Sequence, residues 1–254
     1  MSRVYSDTVN NSGIVQKYED ACKYKRGYVS GNTERLKDFT SDTRSAFDRF
    51  LSLAFEYDGR WQYDDSNHEK YAEIEIDLVS GTRDYTFLTD EQGNVILNIH
   101  KVLVKTRDGV YVELDTADKH SDNATTSAPF LDNQNVAGQP TRYDRTANGI
   151  IFDYVPDYSW RVGTEGARGI KVLIDREASY FAYSDTTKKP GVPGIFHDYF
   201  WAYPAMEKAS IDGSSNYNGL VNIVSRLEDG IKQHFSRRGE DDRKKITFKK
   251  INFI

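Results

Sequence analysis

Five histidines, one cysteine and a few carboxylate clusters are the side chains that could carry chemistry in this chain. His68 lies close after Asp64-Asp65, the residue types of an acid–base cluster or a metal corner. The surrounding stretch after Trp61 is rich in turn formers, so the cluster reads as a solvated loop. His197-Asp198 opens an expected helix and reads as first-turn polarity, while His100, His120 and His234 are scattered. Cys22 would be a nucleophile only beside an orienting histidine, and none is near it in the sequence. Calcium needs more oxygen ligands at fixed spacing than Asp64-Asp65 or Glu240-Asp241-Asp242 supply. The glycines from Gly163 to Gly169 have the wrong spacing for a phosphate loop. No G-x-S-x-G, P-loop, H-E-x-x-H, EF-hand or G-x-G-x-x-G signature occurs. Trp61, Tyr63, Trp160, Tyr180, Phe181, Tyr183 and Trp201 could form a sugar platform. In a chain this poor in Leu and Ile they read instead as core or interface anchors. The residues predict an interaction protein, with no enzyme activity, cofactor or metal site.

The elements that would position these residues follow from periodicity. Residues 1–40 lack a sustained pattern and read as an extended arm, with Ile14 to Cys22 forming two helical turns at most. Asp42 can cap a helix over 43–57, where Ala46, Phe47, Phe50, Leu51, Ala54 and Phe55 share one broad face. Phe47, Phe50, Phe55 and Trp61 are the expected structural anchors. From Trp61 to Leu114 the period becomes two: Ile74 and Ile76, then Tyr85 and Phe87, then Leu97 and Ile99 with Val102 and Val104, then Val110 and Val112. Four short strands in one antiparallel sheet are predicted, with Asp108-Gly109 as the clearest hairpin signal. Residues 115–148 read as a long polar loop. Strands at Gly149–Val155 and Ile170–Ile174 follow, the second extending toward Tyr180–Tyr183. A helix over 195–210, kinked or split by Pro204, and a second over 217–236 complete the pattern.

The predicted architecture is α+β: a small helical bundle from both chain ends with an inserted antiparallel β domain. Its parts are an N-terminal arm (1–40), the bundle (41–60 and 194–236), the insert (61–193) and a C-terminal docking tail (237–254). That tail is too charged at its start to pack as helix and too apolar at its end to stay free in water. Ile246, Phe248, Ile251, Phe253 and Ile254 would expose a sticky strand, with Arg243, Lys244, Lys245, Lys249 and Lys250 setting register against an acidic partner.

Composition bounds the class. The 254 residues allow one large domain or two small ones, and the single cysteine excludes a disulfide framework, as suits a reducing cytoplasm. No run of about 18 apolar residues occurs, and the polar first 30 residues lead us to expect no secretory signal peptide. A net charge of −5 argues against a protein whose main task is gripping nucleic acid. Aromatics at 13% are too many for a disordered chain. Only 38% of the residues are hydrophobic and the mean hydropathy is −0.69, a thin core that suits burial between subunits.

Three stretches carry a resemblance. The first is Trp61-Gln62-Tyr63-Asp64-Asp65-Ser66-Asn67-His68 with Leu78-Val79-Ser80-Gly81-Thr82-Arg83-Asp84-Tyr85. The second is Gly93-Asn94-Val95-Ile96-Leu97 leading to Val102-Leu103-Val104. The third runs from Gly169-Ile170-Lys171-Val172 and Asp175-Arg176-Glu177 through Phe181 to Asp185-Thr186-Thr187-Lys188-Lys189-Pro190-Gly191-Val192-Pro193 and Phe196-His197. Together they resemble the neck proteins of tailed bacteriophages, the head-to-tail adaptor or connector family beneath the portal. The resemblance implies a structural virion protein made in a bacterial cytoplasm. About a dozen copies would form a ring that binds the portal protein and the next tail or neck protein. DNA would pass the lumen without specific binding, and no membrane would be involved. It also implies that Trp61 with Asp64-Asp65-Ser66-Asn67 closes the first helix onto the β domain, and that Pro190 to Pro193 form a stiff exit. A carbohydrate-binding β module of a phage fibre or cell-surface protein is the alternative from another class.

Overall fold

The computed structural model describes residues 2–57, 72–91, 93–117, 135–161 and 168–243, with side chains in the last stretch as far as Arg237. The fold is mixed α+β, with four α-helices and two four-stranded sheets among these residues. The chain divides into two units, Met1–Glu69 with Ala178–Ile254 and Lys70–Glu177. The β unit is thus shorter than the 61–193 expected, and residues 178–193 belong to the helical unit.

The helical unit holds α1 (Ile14–Ala21), α2 (Thr33–Tyr57), α3 (Tyr199–Ile211) and α4 (Tyr217–Arg243). The N-terminal segment is not an arm. Tyr5, Ile14, Val15, Tyr18 and Val29 are buried in the same core as Phe47, Phe50 and Phe200. Backbone bonds from Tyr5 N to Lys188 O at 2.7 Å and from Ser6 N to Thr186 O at 2.9 Å tie the segment down. Sequence periodicity misses this because the anchors are single residues on an irregular path. Their partners lie far along the chain.

α2 also begins ten residues early, because Asn32 caps it: the Arg35 N–H donates to Asn32 Oδ1 at 3.1 Å. Asp42 is therefore inside the helix and caps nothing. A 3-10 turn, Gly194–Phe196, precedes α3, so the break falls at His197-Asp198. Pro204 stays inside α3 and is buried. α4 runs past the expected end at 236 to Arg243, which corrects the view that the charged start of the tail cannot be helical.

The β unit contains β1 (Glu73–Ile76), β2 (Asp84–Thr86), β3 (Ile96–Lys105), β4 (Tyr111–Glu113), β5 (Asp115–Thr116), β6 (Arg142–Thr146), β7 (Gly149–Phe152) and β8 (Ile170–Arg176). The expected single meander is replaced by two sheets, ordered β1-β8-β3-β4 and β2-β7-β6-β5. β1 pairs with β8, Glu73 opposite Leu173 and Ile76 opposite Ile170, so the first and last strands of the unit lie side by side. The β3–β4 hairpin is as expected, with Gly109 at φ +81° and Thr106 N–H donating to Val110 O at 2.8 Å. Irregularities in β3 at Ile96/Asn98 and Ile99/Lys101 explain why Leu97 is exposed while Ile99 and Val102 both face inward. The expected loop 115–148 contains β5 and β6; β6 is polar apart from buried Tyr143 and gives no alternating apolar signal. β7 ends at Phe152, and Tyr180–Tyr183 form no strand. Gly149 has no alternative here, since a Cβ would lie 1.9 Å from Tyr85 O across the β2–β7 pair.

Candidate functional site

The buried stripe of α2 comprises Phe39, Thr43, Ala46, Phe47, Phe50 and Ala54. At about 100° per residue, Lys37, Ser41 and Arg44 fall along one edge of that stripe, and Asp38 and Asp42 along the other. Each edge opens into a groove.

The first groove, of about 360 Å³, lies between α2 and residues 180–183. Phe181 is the peg that holds the two together. Its ring is buried 4.7 Å from Tyr5 and 5.4 Å from Phe47. The flanking tyrosines are thereby brought to the helix edge. The Arg44 guanidinium sits 4.3 Å above the Tyr180 ring, and Lys37 Nζ lies 5.4 Å from the Tyr183 centroid. Tyr180 donates its hydroxyl proton to Asp48 Oδ1 at 2.6 Å, and Lys188 Nζ donates to Tyr180 O at 2.6 Å. Lys37 is also paired with Glu34 at 3.0 Å, so among the described residues Arg44 is the cation without an ion pair on a face of fixed tyrosine rings, with Tyr183 47% exposed.

The second groove, of about 440 Å³, is lined by Asp42 of α2 and by Met206, Glu207, Lys208 and Ile211 of α3, with Tyr217. Burial raises the Asp42 carboxyl above its ordinary range, the charges of Glu207 and Asp38 push it further, and the charge of Lys208 opposes them. Burial raises Glu207 as well, against a lowering hydrogen bond from Tyr203. Lys208 pairs with Asp212 at 3.1 Å, and among the described residues neither Asp42 nor Glu207 forms an ion pair. Ile211, 81% exposed, stands at the rim. This groove is acidic on balance, with Lys208 as its cation, and apolar-edged. Neither arrangement places a nucleophile beside a base. Both suit recognition of an oppositely charged surface.

In the β unit, the buried polar groups are structural. Lys105 Nζ lies 4.2 Å from the Trp160 ring, whose Nε1 donates to Thr106 O at 3.0 Å. Arg176 Nη1 bonds Asp90 Oδ2 at 3.2 Å, and His100 Nε2 is 2.8 Å from Asp175 Oδ1.

Neither a scan of protein-family models nor a search of curated proteins finds a match to this chain. The reading of the site therefore stands on its residues. Phe47 and Phe50 are fully buried, and Phe55 packs against the same core from a partly buried position. Trp61, Asp64, Asp65 and His68 lie outside the described residues, as do Lys244, Lys245, Ile246, Phe248, Lys249, Lys250, Ile251, Phe253 and Ile254 of the expected docking tail. Arg243 is the last residue of α4.

His197 does more than polarise a first turn. Its Nδ1 accepts from the Arg3 N–H at 2.8 Å, so Nε2 carries the proton and donates to Val192 O at 3.0 Å. Arg3 also bonds Asp198, which accepts from Trp201 Nε1 at 2.8 Å. Burial pushes the Cys22 thiol up to about 11, which leaves it a poor nucleophile at neutral pH. Among the described residues, no group of three or more His, Cys, Asp or Glu could hold a metal, and no helix is long and apolar enough to cross a membrane. Only the first groove had a faint sequence signal, the i, i+4, i+7 spacing of Lys37, Ser41 and Arg44.

Proposed function

We propose that this chain is a structural assembly protein, a head-to-tail adaptor whose copies form a ring beneath a phage portal and link it to the tail. One observation carries the reading: a helical unit built from both chain ends, with a β unit between Lys70 and Glu177. That is the arrangement the sequence resemblance implies. The charged, solvent-facing grooves beside α2 support a role in recognition between surfaces. A net charge of −5 suits a lumen that lets DNA pass without holding it. In this reading the apolar end of the chain, Ile246 to Ile254, docks on the portal by strand addition or by inserting its side chains in a groove.

Native mass spectrometry of the full chain with purified portal tests the proposal. A complex containing a multi-copy ring is expected. A chain that ignores portal and binds glycans instead would assign it to a carbohydrate-binding module. Removal of residues 244–254 should abolish portal capture and leave the melting temperature nearly unchanged. A marked fall in melting temperature would mean that the segment packs on its own chain.

A further inference from the structure

The two grooves lie on opposite edges of one buried stripe and differ in charge. On one edge, the exposed Arg44 guanidinium lies on the face of Tyr180, while Lys37 is paired with Glu34 at 3.0 Å. On the other, Asp42 and Glu207 form no ion pair among the described residues, and the cation in their groove, Lys208, is already paired with Asp212. An exposed Ile211 and a half-exposed Tyr217 edge the acidic groove, and Tyr183 edges the basic one. Apolar rims around charges of opposite sign that hold no ion pair among the described residues, Arg44 on one side and Asp42 with Glu207 on the other, are the features of two surfaces that fit each other.

We propose that the basic tyrosine groove of one copy receives the acidic groove of a second copy of this chain. Arg44 of the first copy would meet Asp42 and Glu207 of the second, with Tyr183 packing against Ile211. Because the two surfaces are different, the contact is head-to-tail, and repetition closes it into a ring or extends it as a filament. The inference deepens the adaptor reading and rests on it for the ring, while the contact itself rests on the grooves.

Complementary charge reversal tests it on the full chain, without portal, by sedimentation velocity over rising concentration. Arg44→Glu, or Asp42→Lys with Glu207→Lys, should each weaken self-association about tenfold or more. An equal mixture of the two variants should associate again, since each supplies the groove the other has lost. Asp42→Asn should raise or keep the melting temperature while weakening association, a split that a purely structural carboxylate would not show. A wild-type chain that stays monomeric, reversals that leave association unchanged, or a mixture that fails to associate would overturn the contact. So would a polyanion that binds at Lys37 and Arg44 while the copies do not associate. Association that survives all portal experiments without portal binding would keep the contact and remove the adaptor reading.

Discussion

At the residue scale, Glu19 shows how one buried charge organises a loop. Its carboxylate is fully buried and accepts from Gly27 N at 3.1 Å, Val29 N at 2.7 Å, Ser30 N at 2.8 Å and Ser30 Oγ at 3.1 Å. Glu19→Ala would leave several buried donors unpaired and should cost about 2–3 kcal/mol in urea denaturation, with lost exchange protection at the Val29 and Ser30 amides. His197 predicts a pH effect. Burial, the largest cause, lowers it below its ordinary 6.5, so in acid the unfolded chain takes up a proton that the folded chain refuses. This part of the stability is present above 6.5 and is lost as pH falls through 6.5 toward the folded value. Denaturation about one unit above and below that pH should show the loss in wild type, with a smaller difference in His197→Gln. Equal slopes would show that other groups set the pH response.

At the element scale, the N-terminal segment behaves as part of the helical core. Tyr5 touches Phe181 and Phe39, its hydroxyl lies 2.6 Å from Thr40 Oγ1, and its ring is fully buried. Tyr5→Ala should therefore cost about 3–5 kcal/mol, the range of a large aromatic removed from a packed core. A loss below about 1 kcal/mol, as for a surface site, would return the segment to the status of an arm. The Asn32 cap is worth less: Asn32→Ala should cost about 1 kcal/mol by chemical denaturation, since one helix-end N–H loses its partner.

At the scale of the whole molecule, the pairing of β1 with β8 explains how a β unit can interrupt a helical one. The entering and leaving strands are hydrogen-bonded neighbours, so the insert begins and ends at one place. Its core is also its own, built from Leu78, Val102, Tyr143, Ile150, Phe152 and Val172 among others. Residues 70–177 should fold as an excised fragment, with a sheet-type circular dichroism spectrum and a cooperative thermal transition. A fragment without a transition would show that the unit depends on the helices for its stability.

Much of this fold is local, and local features are legible in a sequence. The apolar stripes of Phe47, Phe50 and Ala54 and of Leu220, Val224 and Ile231 mark their helices because helical period is a property of neighbours in the chain. Asp108-Gly109 marks its hairpin for the same reason. Tertiary structure decided the rest. Strand pairing joins residues as far apart as Ile74 and Val172, and alternation alone cannot say which strand lies beside which. β6 stayed hidden because only Tyr143 of its five residues is buried. The grooves stayed hidden because Lys37, Arg44, Asp42 and Glu207 are ordinary helix-surface charges until Phe181 and α3 are packed against α2. A charge's sign is written in the sequence, but its neighbours across space are set by the packing of apolar side chains elsewhere.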